Sequence, residues 1–363
     1  MDSTEASIAL NMVPGVGPVR LRRLLQVFGT PEKVLLGRAG ELRQVDGVGT
    51  EVAEAIVSWE KHVDLPAELA RIRDFGARVI TQDSPEYPPA LKEITNPPIV
   101  LYVWGTLTER DHQAIGVVGS RKTSHYGLES AKKLSYQLAY AGLTVVSGLA
   151  RGIDTAAHQG ALAAQGRTVA VIGSGLMDLY PPENQALAEK ITASGAVVSE
   201  FPMTFPPSAQ TFPYRNRIVA GWGSGLLVVE AGQKSGALIT AGQALEHGRS
   251  VYAVPGQIDK PTSFGSNHLI QQGAKLVMSA SDILDDLSSL FPERRQMDLA
   301  PKVSTLSPDE QSVLATIETS ETPLDLIVTK SGLPMGKVSS TLLALEMKRR
   351  VRQLPGQQFV KLP

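Results

Sequence analysis

Short apolar runs alternate with amphipathic segments over residues 112 to about 290. The runs are rich in β-branched residues and have the length of strands, whereas the segments between them repeat their apolar positions with the period of a helix. Such alternation is typical of parallel strands joined by crossover helices, the doubly wound α/β class. The predicted strands span 115–118, 143–146, 168–172, 196–199, 225–229, 250–254 and 275–278.

The first 65 residues have a different pattern, in which helices surround two similar glycine-rich turns. The turns read Val13-Pro14-Gly15-Val16-Gly17 and Val45-Asp46-Gly47-Val48-Gly49. This spacing is typical of helix-hairpin-helix units, where a helix N-terminus meets a nucleic-acid phosphate, and Arg20, Arg22 and Arg23 follow the first turn. Glycine C-caps in a small packing domain explain the pattern equally well.

The C-terminal pattern predicts a winged helix. Ser307-Pro308-Asp309-Glu310 is a helix start, two more helical segments follow from Leu324 and Pro334, and two short strands flank Pro355-Gly356. The domains are therefore predicted at 1–65, 66–290 and 305–363, with a linker at 291–304. Residues 66–110 are expected to add strands to one edge of the central sheet. The basic residues of the winged unit face DNA or complement a helix dipole; they are Lys337, Lys348, Arg349, Arg350 and Arg352.

Small and basic residues follow nearly every predicted strand of the central domain. In open parallel sheets, ligands bind outside the carboxyl ends of the strands, where backbone N–H groups and cations hold phosphates. Arginines beside Phe212 and Tyr214 favour single-stranded nucleic acid, which needs charge for its backbone and flat rings for its bases. The candidate contact residues are Gly119, Ser120, Arg121, Ser147, Gly148, Arg151, Gly173, Ser174, Tyr214, Arg215, Asn216, Arg217, Lys234, Ser235 and Gly236.

These residues also have a purely structural interpretation. Glycine after a strand lets the chain turn into a helix, and the two aromatic rings cap the core while the arginines are solvated or pair with Glu200 and Glu230. For any single residue this interpretation is the better one, whereas the concentration at one edge favours a binding site.

Composition restricts the function further. The net charge of −1 and the pI of about 6.6 exclude a uniformly basic surface, so nucleic acid needs a local patch. The chain has no cysteine, which excludes disulfides and thiolate chemistry. No secretory signal and no long apolar run occur, so we expect a cytoplasmic protein without membrane contact.

The sequence predicts no catalytic residue, no metal and no cofactor. The motifs of serine hydrolases, Rossmann dinucleotide sites, P-loops and histidine metal sites are all absent. His158 follows Asp154 by four residues on one predicted helix. The pair could be a general base and its orienting carboxylate, but a hydrogen bond between the two that closes the first helical turn is the more common arrangement and is expected here.

Longer motifs follow one another in a fixed order along the middle of the chain. They are IGVVGSR at 115–121, SGLARGID at 147–154, SEFP at 199–202, FPYRNRI at 212–218, SGALITA at 235–241 and VPG at 254–256. In this order they closely resemble the DprA/Smf family of DNA-processing proteins. The resemblance implies an extended Rossmann-like domain flanked by an N-terminal helical, helix-hairpin-helix or SAM-like domain and a C-terminal winged helix.

The resemblance also implies a function and a partner. Members of the family bind single-stranded DNA, form homodimers and help to load the RecA recombinase during natural transformation. The basic pocket of the family corresponds here to Arg121, Arg215, Arg217 and Lys234. One competing hypothesis is an enzyme, because phosphoribohydrolases of the same fold superfamily carry a P-G-G-x-G-T-x-x-E signature. Another is a nucleotide-sensing module without catalysis. The matching strand here, GSGLLVVEAG, has Glu230 but lacks the double-glycine loop.

Overall fold

The computed structural model describes residues 1–288, 306–317, 322–347, 350–354 and 358–361. The chain divides into two compact units, Met1–Arg295 and Gln296–Pro363. The linker that we predict at 291–304 lies outside the described residues, as do Lys348 and Arg349.

Within residues 1–288, nine strands form one sheet in the order β1-β2-β6-β5-β4-β3-β7-β8-β9. The strands are β1 (Arg78–Thr81), β2 (Val100–Gly105), β3 (Ala114–Val118), β4 (Thr144–Ser147), β5 (Thr168–Val171), β6 (Ala196–Ser199), β7 (Gly225–Val228), β8 (Ser250–Ala253) and β9 (Lys275–Leu276). In this spatial order, all neighbouring strands from β6 through β3 to β9 are parallel. At the other edge, β1 pairs with β2 and β2 pairs with β6 in antiparallel directions. The predicted parallel sheet is confirmed, with most strand ends one or two residues from their predicted positions.

Helices cover both faces of this sheet. The helices of residues 1–288 are α1 (Ser3–Met12), α2 (Pro18–Phe28), α3 (Pro31–Leu35), α4 (Ala39–Leu42), α5 (Thr50–Val57), α6 (Leu65–Phe75), α7 (Pro89–Lys92), α8 (His125–Tyr140), α9 (Ile153–Ala163), α10 (Gln185–Thr192), α11 (Thr211–Gly221), α12 (Gly236–Glu246), α13 (Phe264–Gln271) and α14 (Ala280–Ser288). The pleat of β3 sends Ile115 and Val117 into the core under α8 and α9, and Val118 into the core under α11 and α12. The apolar runs are continuous because both faces of the strands are buried.

The N-terminal helices form the predicted pair of hairpins. Gly15 and Gly47 have φ of +80° in the two turns, a conformation that favours glycine. Arg20 ties the turns together, since its Nε donates to the Gly47 carbonyl at 2.8 Å and its Nη1 donates to the Gly15 carbonyl at 2.5 Å. Asn11 Nδ2 donates to the Glu200 carbonyl at 2.9 Å, which anchors α1 to the loop after β6.

The C-terminal unit is the predicted winged helix. Its elements are α15 (Pro308–Ala315), β10 (Thr322–Pro323), α16 (Leu324–Ser331), α17 (Met335–Met347), β11 (Val351–Leu354) and β12 (Gln358–Lys361). Ser307 and Glu310 form the capping box that begins α15. Lys337, a candidate DNA contact, lies 2.9 Å from Asp309 and so forms an ion pair within the unit.

Candidate nucleic-acid interface

A cleft of about 810 Å³, here called the sheet-edge cleft, opens beyond the carboxyl ends of β3 and β7. The strand order reverses between these two strands, and such switch points are where open α/β sheets bind ligands. Of the predicted contact residues, those that line the cleft are Gly119, Ser120, Arg121, Arg215, Asn216, Lys234, Ser235 and Gly236.

Three exposed cations surround this cleft. Arg121 and Lys122 follow β3, and Lys234 precedes α12. Within the described part of the chain, none of the three forms an ion pair. Lys122 was not among the predicted residues, although it directly follows the GSR motif and could have been included on its charge. The cleft therefore presents positive charge that is free to meet an anion.

Aromatic rings form one wall of the cleft. The Arg121 guanidinium carbon lies 5.0 Å from the centroid of the Phe212 ring, and that ring lies 5.7 Å from Tyr180. Gly173 makes room for Phe212, because a Cβ there would lie 2.9 Å from the ring. A cation and an aromatic ring beside an open cleft can bind a nucleotide, because the cation attracts the phosphate and the ring stacks on the base.

Arg215 lies under the cleft as part of its floor, and its role as a DNA contact stays a prediction. The side chain is only 3% exposed. Its Nη1 donates to the carbonyls of Gly148, at 2.7 Å, and Val171. The guanidinium therefore joins the loop after β4 to the end of β5. Burial lowers the pKa of Arg215 to about 10, so the group stays charged at neutral pH.

Asp154 is the acidic group of the cleft floor. Its Oδ2 accepts hydrogen bonds from the backbone N–H groups of Gly148, at 3.1 Å, and Ala150, at 3.4 Å. Burial raises the pKa of Asp154 to about 6, although the charge of Arg215 acts in the opposite direction. A carboxylate that protonates near neutral pH thus lies beneath the exposed cations.

Arg217 is buried as well and does not line the cleft, contrary to prediction. It is 5% exposed, its Nη1 lies 2.5 Å from Glu200 Oε2, and its Nε donates to the Asn96 carbonyl at 3.0 Å. Burial raises the pKa of Glu200, although the Arg217 guanidinium works against this shift. This ion pair is what the purely structural interpretation of the FPYRNRI motif expects, in which an arginine of the motif pairs with a glutamate. Tyr214, which precedes the two arginines on α11, lies outside the sheet-edge cleft and stacks on Arg217 at 4.1 Å.

Arg151 is paired rather than free. Its guanidinium forms a two-pronged ion pair with Glu183 and donates to the Tyr180 hydroxyl at 3.1 Å. It lies beside Arg121 but does not line the sheet-edge cleft. Both side chains of this ion pair are about half exposed, and Arg151 stays a predicted DNA contact.

The remaining predicted small residues are buried and hold the strand ends together. The Ser147 hydroxyl donates to the Val117 carbonyl at 2.6 Å, and the Ser174 carbonyl accepts from the Ser199 hydroxyl at 2.6 Å. Gly148 has no space for a side chain, since a Cβ would lie 2.5 Å from Arg215 Nη2. Together with Gly173, these residues lie behind the cleft and do not line it.

The expected hydrogen bond between Asp154 and His158 does not form. His158 Nδ1 lies 2.7 Å from Thr168 Oγ1, and burial lowers the pKa of His158 to about 3, so the ring is neutral. No group of three His, Asp or Glu side chains suited to a metal occurs in the residues that the structure describes. Over the same residues, no helix has the length and apolar character needed to cross a membrane.

Three sequence families match this chain. The family described as DNA recombination-mediator protein A matches residues 78–288, the DprA winged helix domain matches 297–357, and the SAM-like helix-hairpin-helix tandem matches 7–58. Protein Smf from Synechocystis sp. is 36% identical over 97% of this chain and 97% of its own length.

Solved structures of DNA processing protein A share the fold. DNA processing protein A from Streptococcus pneumoniae has a TM-score of 0.68 and 35% identity, over 79% of this chain and 99% of that protein. A structure of DNA processing protein A from Helicobacter pylori, concerned with its binding of single-stranded DNA, has a TM-score of 0.53 and 24% identity. It covers 59% of this chain and 96% of that protein.

Proposed function

Because the chain belongs to the DprA/Smf family of DNA-processing proteins, we propose that it binds single-stranded DNA in the sheet-edge cleft without sequence specificity. One observation carries the proposal: three cations that form no ion pair with a described residue, together with an aromatic ring, converge on an open cleft at the switch point of the sheet. Every base has a flat face and every nucleotide a phosphate, so this combination binds strands of any sequence. The Helicobacter pylori protein, which shares the fold, binds single-stranded DNA, and the proposal extends that ligand to this chain.

We also propose that the bound strand is protected and passed to a RecA recombinase by a homodimer of this chain during DNA uptake. The description of the matching family as a recombination mediator supports a role beside a recombinase. This role depends on the cleft, so a variant that loses DNA should lose RecA loading too.

The enzymatic alternative has less support, and we propose that the chain is not an enzyme. Glu230, the carboxylate that a phosphoribohydrolase would use, is buried and does not line the cleft. It accepts hydrogen bonds from the Thr123 hydroxyl and from the Ser124 N–H, at 2.9 Å, where α8 begins. Burial alone would raise the pKa of Glu230, but these hydrogen bonds and one from Thr262 outweigh it and lower the pKa. The group thus serves as an ionised acceptor at the N-terminus of α8.

Titration with fluorescent oligo-dT and with AMP tests the choice between these functions. We expect tight binding of the oligonucleotide, weak binding of AMP, and no release of free base. Each neutralised phosphate contributes about −0.7 to the log–log salt slope of a single strand, so three cations give a slope of about −2 for a short strand. A preference for duplex, an affinity independent of salt, or base release that requires Glu230 would contradict the proposal.

The affinity for oligo-dT should rise as the pH falls from about 7 to about 5. The pKa of Asp154 is about 6, so acid removes one negative charge beneath the cleft that Arg121, Lys122 and Lys234 line. We expect a gain of about two- to fivefold, as for a partly screened charge. Asp154→Asn should flatten the pH profile. A profile that keeps its slope in this variant would show that another group is responsible.

A further inference from the structure

A second cleft, here called the hairpin cleft, lies where the two N-terminal turns meet the start of α11. Its volume is about 320 Å³. The residues that line it are Gly17, Pro18, Val19, Arg20, Arg23, Gly47, Asn96 and Tyr214. Pro213 lines the sheet-edge cleft and Tyr214 lines the hairpin cleft, so adjacent residues of α11 line the two clefts.

The hairpin cleft contains positive charge that no buried carboxylate neutralises. Arg20 donates from Nε and Nη1 to backbone carbonyls and forms no ion pair with a described residue. Arg23 lies 2.9 Å from Asp46, whose side chain is 87% exposed. Such a surface pair is weak in water and readily exchanges its carboxylate for another anion. None of the eight lining residues, all within the described part of the chain, is acidic.

Tyr214 supplies a fixed aromatic surface in this cleft. The Arg217 guanidinium covers the ring at 4.1 Å, and the ion pair with Glu200 holds that guanidinium in place. The residue is still 37% exposed and lines the cleft. Burial raises the pKa of Tyr214 to about 12, so its hydroxyl carries no charge that would repel a phosphate. A ring held from behind stacks a base without losing much conformational entropy.

We propose that the hairpin cleft is a second nucleotide subsite, in which Tyr214 stacks a base and Arg20 and Arg23 hold a phosphate of the strand that occupies the sheet-edge cleft. This inference rests on the proposed function and extends it. It assigns the helical N-terminal region a part in single-strand binding that depends on a residue of the central domain. It also gives Tyr214 a role outside the sheet-edge cleft.

Affinity measured over a length series of oligo-dT tests the second subsite. For the wild type, affinity should rise once for strands that fill the sheet-edge cleft and again for strands that reach the hairpin cleft. The double variant Tyr214→Leu with Arg23→Gln should lose the second rise, which corresponds to about tenfold weaker binding of long strands. Its affinity for the shortest strands should stay at the wild-type value.

Matched controls separate this role from general effects. Tyr214→Phe keeps the ring, and Arg22→Gln removes an exposed charge from the same helix outside the cleft, so both should keep the second rise. Thermal melting of each variant shows whether the fold is kept. A fluorescent adenine analogue at the strand end should be quenched when the wild type binds the strand, but not when the double variant binds it.

The two proposals fail in different ways. If wild type binds no oligo-dT of any length, the proposed function fails. If long strands bind the double variant as tightly as the wild type, while Arg121→Ala still loses them, only the second subsite is overturned. That second outcome is also the one expected if the hairpin cleft binds a protein instead of DNA.

Discussion

Replacing Arg121 with alanine is expected to weaken oligo-dT binding about 30- to 150-fold, the effect of losing one charge-assisted contact in a partly shielded site. Arg121 is exposed, lies over Phe212 at 5.0 Å, and has no carboxylate partner in the described residues. No buried space opens when it is removed, so the melting temperature should not change. Fluorescence titration measures the affinity, and RecA filament growth on the same strand should be lost in parallel.

Removal of residues 305–363 is the comparison that locates the main DNA site. In the winged unit, Lys337 is already paired with Asp309, and solvated cations at a surface contribute little individually. The truncation should therefore reduce affinity much less than Arg121→Ala does. A larger loss on truncation would move the main site from the sheet-edge cleft to the winged helix.

Arg217→Ala should lower the free energy of unfolding by about 3 to 5 kcal/mol, because it leaves the Glu200 carboxylate buried without its partner. The change also removes the donor to the Asn96 carbonyl. Urea unfolding measures this loss, and the variant that remains folded at low temperature should still bind short oligo-dT. Arg217 is thus expected to act on stability, in contrast to Arg121.

A paired substitution shows whether the charge itself is responsible. Replacing Arg217 and Glu200 together with methionine and leucine removes both charges, and this should restore much of the lost stability. Arg217→Ala could instead leave the free energy of unfolding unchanged and abolish the binding of short strands. That result would show that the ion pair contributes little to stability and that Arg217 contacts DNA.

The sheet could be predicted because a strand buried on both faces must be apolar along its whole length. The runs that contain Val117, Val145 and Val197 show this directly, and each became a strand of the parallel sheet. The sheet-edge cleft followed from the same pattern, since parallel strands bring their carboxyl ends to one edge. Arg121 and Lys234 could be assigned to it from their positions after β3 and β7 alone.

The partners of the other arginines could not be predicted in the same way. Arg215 and Arg217 lie two apart on α11, and residues at that spacing point to different sides of a helix, so the two could not both face one cleft. Which partners they would meet depended on Gly148, Glu200 and Asn96, which are distant in sequence. Arg151 likewise met Glu183 through tertiary folding.

The double contact of Arg20 determines how the N-terminal region can be divided. Units of a true repeat can be added or removed one at a time, because each unit contacts only its neighbours through similar interfaces. Here one guanidinium closes both glycine turns, at Gly15 and Gly47. Deleting either hairpin would leave the other without a partner for its carbonyl or its cation. The two hairpins are therefore expected to fold and unfold together, not one at a time.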